Sequence, residues 1–207
     1  MQKLTDYLND AEKGLLTACT GCPRNPKHTS NTCFSQNCSD HFANENPVVV
    51  AILRDPGGYA PYTKVNCFYC NEDRTAKNVS EWFKHLPIEP KEWYATNAVM
   101  HGSDLTINED TLNHCKNVLR EQIRLLAPKL VIGFGQEATW SLYNIQRFES
   151  YCDKFKEIEY AGPVEWIDGT NVAIMPNPSG MGTANAGGKE IVENLWIKLG
   201  AWLEKNR

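Results

Sequence analysis

The chain has 207 residues, 42% of them hydrophobic, and a formal net charge of −4. That size suits one domain with a substantial buried core, and the acidic balance argues against strong indiscriminate binding to nucleic acid, which calls for a basic excess. No apolar run approaches the ~20 residues of a membrane helix, and the opening residues Met1 to Leu8 lack the apolar core of a secretion signal, so a soluble, cytoplasmic, monomeric protein is expected.

Residues 2–17 read as an amphipathic helix, with Leu4, Leu8, Ala11 and Leu15 at helical spacing. Residues 18–46 are rich in Cys, Asn, Pro and Ser and read as an irregular loop held by something other than a core. Val48 to Ile52 is an unbroken apolar run, as in a parallel strand buried on both faces. A short helix is predicted over 78–86, and a second strand begins at Trp93 to Ala95. Asn108-Glu109-Asp110 opens a long helix with acidic residues where the helix dipole favours them. Leu112, Cys115, Leu119, Ile123 and Leu126 form its apolar face, and Pro128 stops it. Lys129 to Gly135 reads as a third strand, Gln136 to Tyr143 as a helix, 155–160 as a weak strand, Val172 to Met175 as a fourth core strand, and Gly187 to Lys205 as the closing helix. This alternation predicts an α/β fold, a central and mainly parallel β-sheet flanked by helices, in a single domain over 1–207.

Three segments follow predicted strands: Leu53-Arg54-Asp55-Pro56-Gly57-Gly58, Thr96-Asn97-Ala98-Val99 and Asn177-Pro178-Ser179-Gly180-Met181. Open α/β sheets build their sites at such strand ends. A carboxylate at Asp55 can orient a water or stabilise positive charge developing on a sugar. Taken alone, Asp-Pro-Gly-Gly is equally good turn chemistry. Asn97 offers one donor and one acceptor, enough to read a base edge, or it closes a strand by bonding backbone. Asn177 to Met181 is also turn chemistry by itself.

The chain has eight cysteines and no secretion signal, which points to metal binding more than to disulfides. Cys19-x2-Cys22 and Cys67-x2-Cys70 are compact pairs.

Together these segments resemble the uracil-DNA glycosylase superfamily. Asp55-Pro56 followed by Cys67-Phe68 has the spacing of the GQDPY…CF motif of the classical enzymes, and Asn97-Ala98-Val99 is similar to their uracil-reading segment. Asn177 to Met181 resembles the NPSGL loop of the mismatch-specific branch. Cys115 to Gly135, and Ala18-Cys19-Thr20-Gly21-Cys22-Pro23, resemble the iron–sulfur branch.

The resemblance implies an enzyme that flips a nucleotide out of DNA and breaks its N-glycosidic bond. Phe68 would stack on the base and Asn97 would read its edge. Asp55 would position water. Asn177 and Ser179 would line the sugar and phosphate, with Gly180, while Met181 would wedge into the duplex. The resemblance also implies a 4Fe–4S cluster on Cys19, Cys22 and Cys115, with His101 at the position of the remaining family cysteine; imidazole can ligate cluster iron. Otherwise His101 is a DNA contact and Cys115 a core cysteine. Cys33, Cys38, Cys67 and Cys70 could form a separate zinc site, and Cys152 reads as structural.

Two departures stand out. Gly57, followed by Gly58, replaces the tyrosine that blocks bulk at C5 of the pyrimidine, which opens the pocket to thymine or a larger C5-modified base. Arg54 replaces the usual Gln or Glu and has no assigned role. Two rival readings stay open: a defence enzyme acting on bulky modified phage cytosines, and a non-catalytic, metal-stabilised nucleic-acid binder.

Overall fold

The computed structural model describes residues 4–25, 33–34, 46–56, 74–102, 106–148 and 163–207. Its strands are β1 (Cys33–Phe34), β2 (Val49–Leu53), β3 (Trp93–Asn97), β4 (His101–Gly102), β5 (Leu130–Phe134), β6 (Val164–Ile167) and β7 (Thr170–Met175). Its α-helices are α1 (Leu4–Glu12), α2 (Arg74–Phe83), α3 (Glu109–Leu126), α4 (Gly135–Ile145), α5 (Gly180–Asn185) and α6 (Lys189–Asn206). Five strands make one sheet in the order β3-β2-β5-β7-β6. The first four run parallel, and β6 pairs antiparallel with β7. The α/β fold with a mainly parallel central sheet is therefore as predicted.

The apolar runs are continuous because both sheet faces are covered. Side chains alternate across a strand, so Val49 and Ala51 pack with Val79, Phe83, Trp196 and Leu199 of α2 and α6. Val50 and Ile52 pack with Leu119, Ile123, Ala138 and Leu142 of α3 and α4. Trp196 lies fully buried on the first of these faces, 5.8, 5.5 and 5.9 Å from the rings of Trp82, Phe83 and Phe134. Phe134 ends β5, so this aromatic cluster supports the strand end from beneath. Among the described residues no helix is long and apolar enough to cross a membrane.

The long helix α3 starts and stops as its sequence predicts. Asn108 caps it by accepting a hydrogen bond from the Thr111 amide at 2.9 Å, and Ala127 ends it in the left-handed region just before Pro128. Elsewhere the boundaries move. Among the described residues the N-terminal helix predicted over 2–17 ends at Glu12, because the Asn25 amide ties down the Cys19 carbonyl at 2.8 Å and pulls the chain into a 3-10 turn at Thr17–Cys19. The helix predicted over 78–86 runs from Arg74 to Phe83. Within the loop predicted over 18–46, β1 pairs with β4, Cys33 opposite Gly102 and Phe34 opposite His101. The strand predicted over 155–160 lies outside the described residues; β6, not among the predicted strands, forms the first arm of a hairpin with β7.

Helix α6 crosses the loop after α2 closely. A Cβ at Gly200 would lie 2.0 Å from the His85 carbonyl oxygen, a backbone atom that cannot rotate away. Gly200→Ala is therefore expected to destabilise the fold by about 1–3 kcal/mol. At this chain length each kcal/mol lowers the melting midpoint by roughly 2–4 °C, which a circular-dichroism melt would register; an unchanged midpoint would mean that the helix shifts without cost.

Candidate active site

The parallel register brings the strand ends together along one edge. Leu53 of β2 pairs with Asn97 of β3. The ladder continues past both, with the Ala98 amide donating to the Leu53 carbonyl at 2.7 Å and the Val99 amide to the Arg54 carbonyl at 2.9 Å. Asn97 is thus zipped beside the Arg54-Asp55 turn. It is 3% exposed, and among the described residues none hydrogen-bonds its side-chain amide.

Asp55 sits just beyond β2 with its side chain 11% exposed. Both carboxylate oxygens are engaged. Arg54 Nε donates to Oδ1 at 2.7 Å, and Arg24 Nη1 donates to Oδ2 at 3.3 Å. This gives Arg54 the role that its sequence position left unassigned: hydrogen bonding to Asp55 stabilises its guanidinium cation. A carboxylate has about four lone-pair sites, so acceptor capacity for a water remains.

Across β5, the loop after β7 is held by its own side chains. Asn177 Oδ1 accepts from the Ser179 amide at 3.0 Å, and Ser179 Oγ accepts from the Gly182 amide at 3.0 Å, capping α5. Asn78 of α2 donates to the Pro178 carbonyl at 2.5 Å. The Asn177 side chain leans over the end of β5, where a Cβ on Gly135 would lie 3.2 Å from Asn177 Nδ2; Gly135 also has φ +79°. A side chain at position 135 would push Asn177 off the edge. Met181 is 75% exposed beyond this anchored loop. With strands about 4.8 Å apart, the strand ends that carry Asp55 and Asn177 lie roughly 10 Å apart, on either side of β5. Of the remaining expected site residues, Gly57, Gly58 and Phe68 lie outside the described residues.

Residues 24–200 match the family model of the Uracil DNA glycosylase superfamily. The chain belongs to this superfamily. Its members are DNA glycosylases, hydrolases of base-excision repair that act on DNA. A search of curated proteins returned no match. The matched stretch begins at Arg24, two residues beyond Cys22.

Three of the four residues expected to hold a cluster are cysteines in the described part of the chain. Cys19, Cys22 and Cys115 are buried free thiols. Cys22 and Cys115 hydrogen-bond to each other, Cys115 also accepts from the Met100 amide, and Cys22 accepts from the Arg24 amide. The bond from Cys115 pulls the Cys22 thiol down to about 6, whereas that same bond, then burial, pushes Cys115 up. Burial raises Cys19 to about 11. A buried, sulfur-rich donor set with amide N–H groups beside the sulfurs has the chemistry of an iron–sulfur cluster site.

His101 is 3% exposed, and its Nε2 faces the Glu12 carbonyl at 3.2 Å, which makes Nδ1 the lone-pair nitrogen of the ring. Burial disfavours its cation. Among the described residues no three ligating side chains converge as a single-ion site. Of the suggested zinc ligands, Cys33 is described only by its backbone in β1, and Cys38, Cys67 and Cys70 lie outside the described residues, as does Cys152.

Two residues of this edge escape a reading of the sequence. Arg24 pairs with a carboxylate thirty-one positions away, and nothing local announces a buried arginine. Asn78 reaches the Pro178 carbonyl one hundred positions on, from a helix whose pattern marks only its apolar face.

Proposed function

We propose that this glycosylase removes uracil or a C5-modified pyrimidine from DNA by flipping the nucleotide into the edge between Asn97 and Asn177. The observation that carries this reading is the zipped Leu53–Asn97 register, which sets a buried amide beside a carboxylate already oriented by two guanidinium groups. Phe68 stacks on the base and Asn97 reads its Watson–Crick edge. The bond between the sugar C1′ and the base nitrogen breaks, its electron pair leaves with the base, and the Asp55 carboxylate stabilises the cationic sugar. Asp55 also orients the water whose oxygen adds to C1′, while its proton passes to the carboxylate and on to solvent. Asn177 and Ser179 line the sugar and phosphate, with Gly180, and exposed Met181 fills the gap left in the duplex.

Cys19, Cys22 and Cys115, with His101, would hold a 4Fe–4S cluster. These residues would thereby tie the N-terminal segment to α3 and β4, and the amides of Arg24 and Met100, beside Cys22 and Cys115, would donate to the sulfur ligands.

The missing tyrosine at Gly57 favours a substrate with bulk at C5, the chemistry of modified phage cytosines. Gly57→Tyr is expected to discriminate at least tenfold against thymine and hydroxymethylated or glucosylated cytosine relative to uracil, since roughly 1–3 kcal/mol separates a filled from an open pocket wall. Single-turnover cleavage of each base by both proteins, with a melt to verify folding, measures this. A wild-type enzyme confined to uracil, or a tyrosine variant that keeps the large bases, would contradict it.

A further inference from the structure

Arg24 is 2% exposed, and an arginine side chain ends in a cationic guanidinium. A buried guanidinium is tolerated only where it is paired and hydrogen-bonded. Its Nη1 donates to Asp55 Oδ2 at 3.3 Å and to the His101 carbonyl at 3.2 Å. One side chain thus links the cysteine turn, the end of β2 and β4.

Its base is fixed as firmly as its tip. The Arg24 amide donates to the Cys22 sulfur. The Asn25 amide donates to the Cys22 carbonyl at 3.0 Å, and the Asn25 side chain to the Cys19 carbonyl at 2.8 Å. The segment from Cys19 to Asn25 is therefore a knotted turn that presents one guanidinium inward. The other partner of Asp55 is different. The Arg54 side chain is 56% exposed, and solvent weakens such a contact.

Resting on the glycosylase reading above, we infer that Arg24 is the positioning residue that sets the Asp55 carboxylate and makes its placement depend on the cysteine turn. Arg24 touches neither base nor sugar in this arrangement; it acts through Asp55. Holding Oδ2 in one direction leaves the remaining lone pairs of the carboxylate aimed consistently at the water and the sugar. Misplacement of a catalytic group by about 1 Å is enough to cost ~10²-fold.

The experiment is a double-mutant cycle on the full chain, with Arg24→Met, Asp55→Asn and the pair. Single-turnover base release and DNA affinity are measured separately. Arg24→Met is expected to slow base release by about 10–100-fold and to leave DNA affinity within a few-fold of wild type. On the Asp55→Asn background it is expected to have no further effect on the rate, because its route to the reaction is gone. Additive effects, or a loss of affinity that accounts for the loss of rate, would overturn the inference. If a melt shows Arg24→Met unfolded, the same cycle run with Arg24→Lys, which keeps the charge and loses the fork, decides by the same criterion. An active wild type with additive variants removes this inference alone. A wild type that forms no abasic sites removes the glycosylase reading and the inference together.

Discussion

Asp55→Asn is expected to lower base release by about 10²–10⁴-fold, the usual contribution of a positioned carboxylate. The substitution removes the charge that steadies a cationic sugar and leaves the shape nearly unchanged. Its second consequence comes from the two arginines. Asn can still accept from Arg24, but the buried cation loses its counter-charge, which costs stability, about 1–3 kcal/mol. The rate must therefore be compared at a temperature where both proteins are folded, as judged by circular dichroism. A folded variant with wild-type turnover on every base would reduce Asp55 to a turn residue.

Cys115→Ala is expected to have the largest effect on the protein's composition. The wild type, prepared without oxygen, should be brown and contain iron and acid-labile sulfide; the variant should be colourless and iron-poor. Because metal binding is also folding free energy, the melt should fall by more than the about 1 kcal/mol that trimming one buried thiol to a methyl would cost. Cys115 lies in the α3 core beside Leu112 and Leu119, so the two effects are separable by magnitude. Wild-type protein carrying zinc and no iron would overturn the cluster. A metal-free wild type with a small shift in melting would make Cys115 an ordinary core residue.

Much of the frame was legible because its signals are local. Unbroken apolar runs marked β2, β5 and β7, since a strand covered on both faces needs no polar alternation. Asn108 and Pro128 bracketed α3 through capping and the missing proline N–H. The edge hairpin was missed although a signal was present. Asp168 and Gly169 take φ +50° and +79°, as a two-residue hairpin turn requires, and Asp-Gly between β-rich segments announces it. Helix α5 escaped because Gly180 and Gly182 have poor helix propensity; the Ser179 cap and the Asn177 bond hold it instead.

The site divides in the same way. Asp55, Asn97 and Asn177 were visible as strand-end residues, and the sheet register gives them one edge. The Arg24 and Asn78 contacts were not visible, because they join positions far apart in the chain and depend on packing that no spacing rule encodes. The cysteine turn was half legible. Its pair spacing pointed to Cys19 and Cys22, and α3 brings Cys115 to them; the Glu12 carbonyl that holds His101 Nε2 carries no signal in the sequence.

The most direct test is abasic-site formation by the purified full chain on oligonucleotides carrying one target base: uracil, thymine, or hydroxymethylated or glucosylated cytosine, in single- and double-stranded form. Alkali-dependent strand cleavage at the target position, with the free base recovered and both lost in Asp55→Asn, is the result expected of this glycosylase. DNA binding without base release on any of these substrates would contradict it and leave a metal-stabilised binder of nucleic acid.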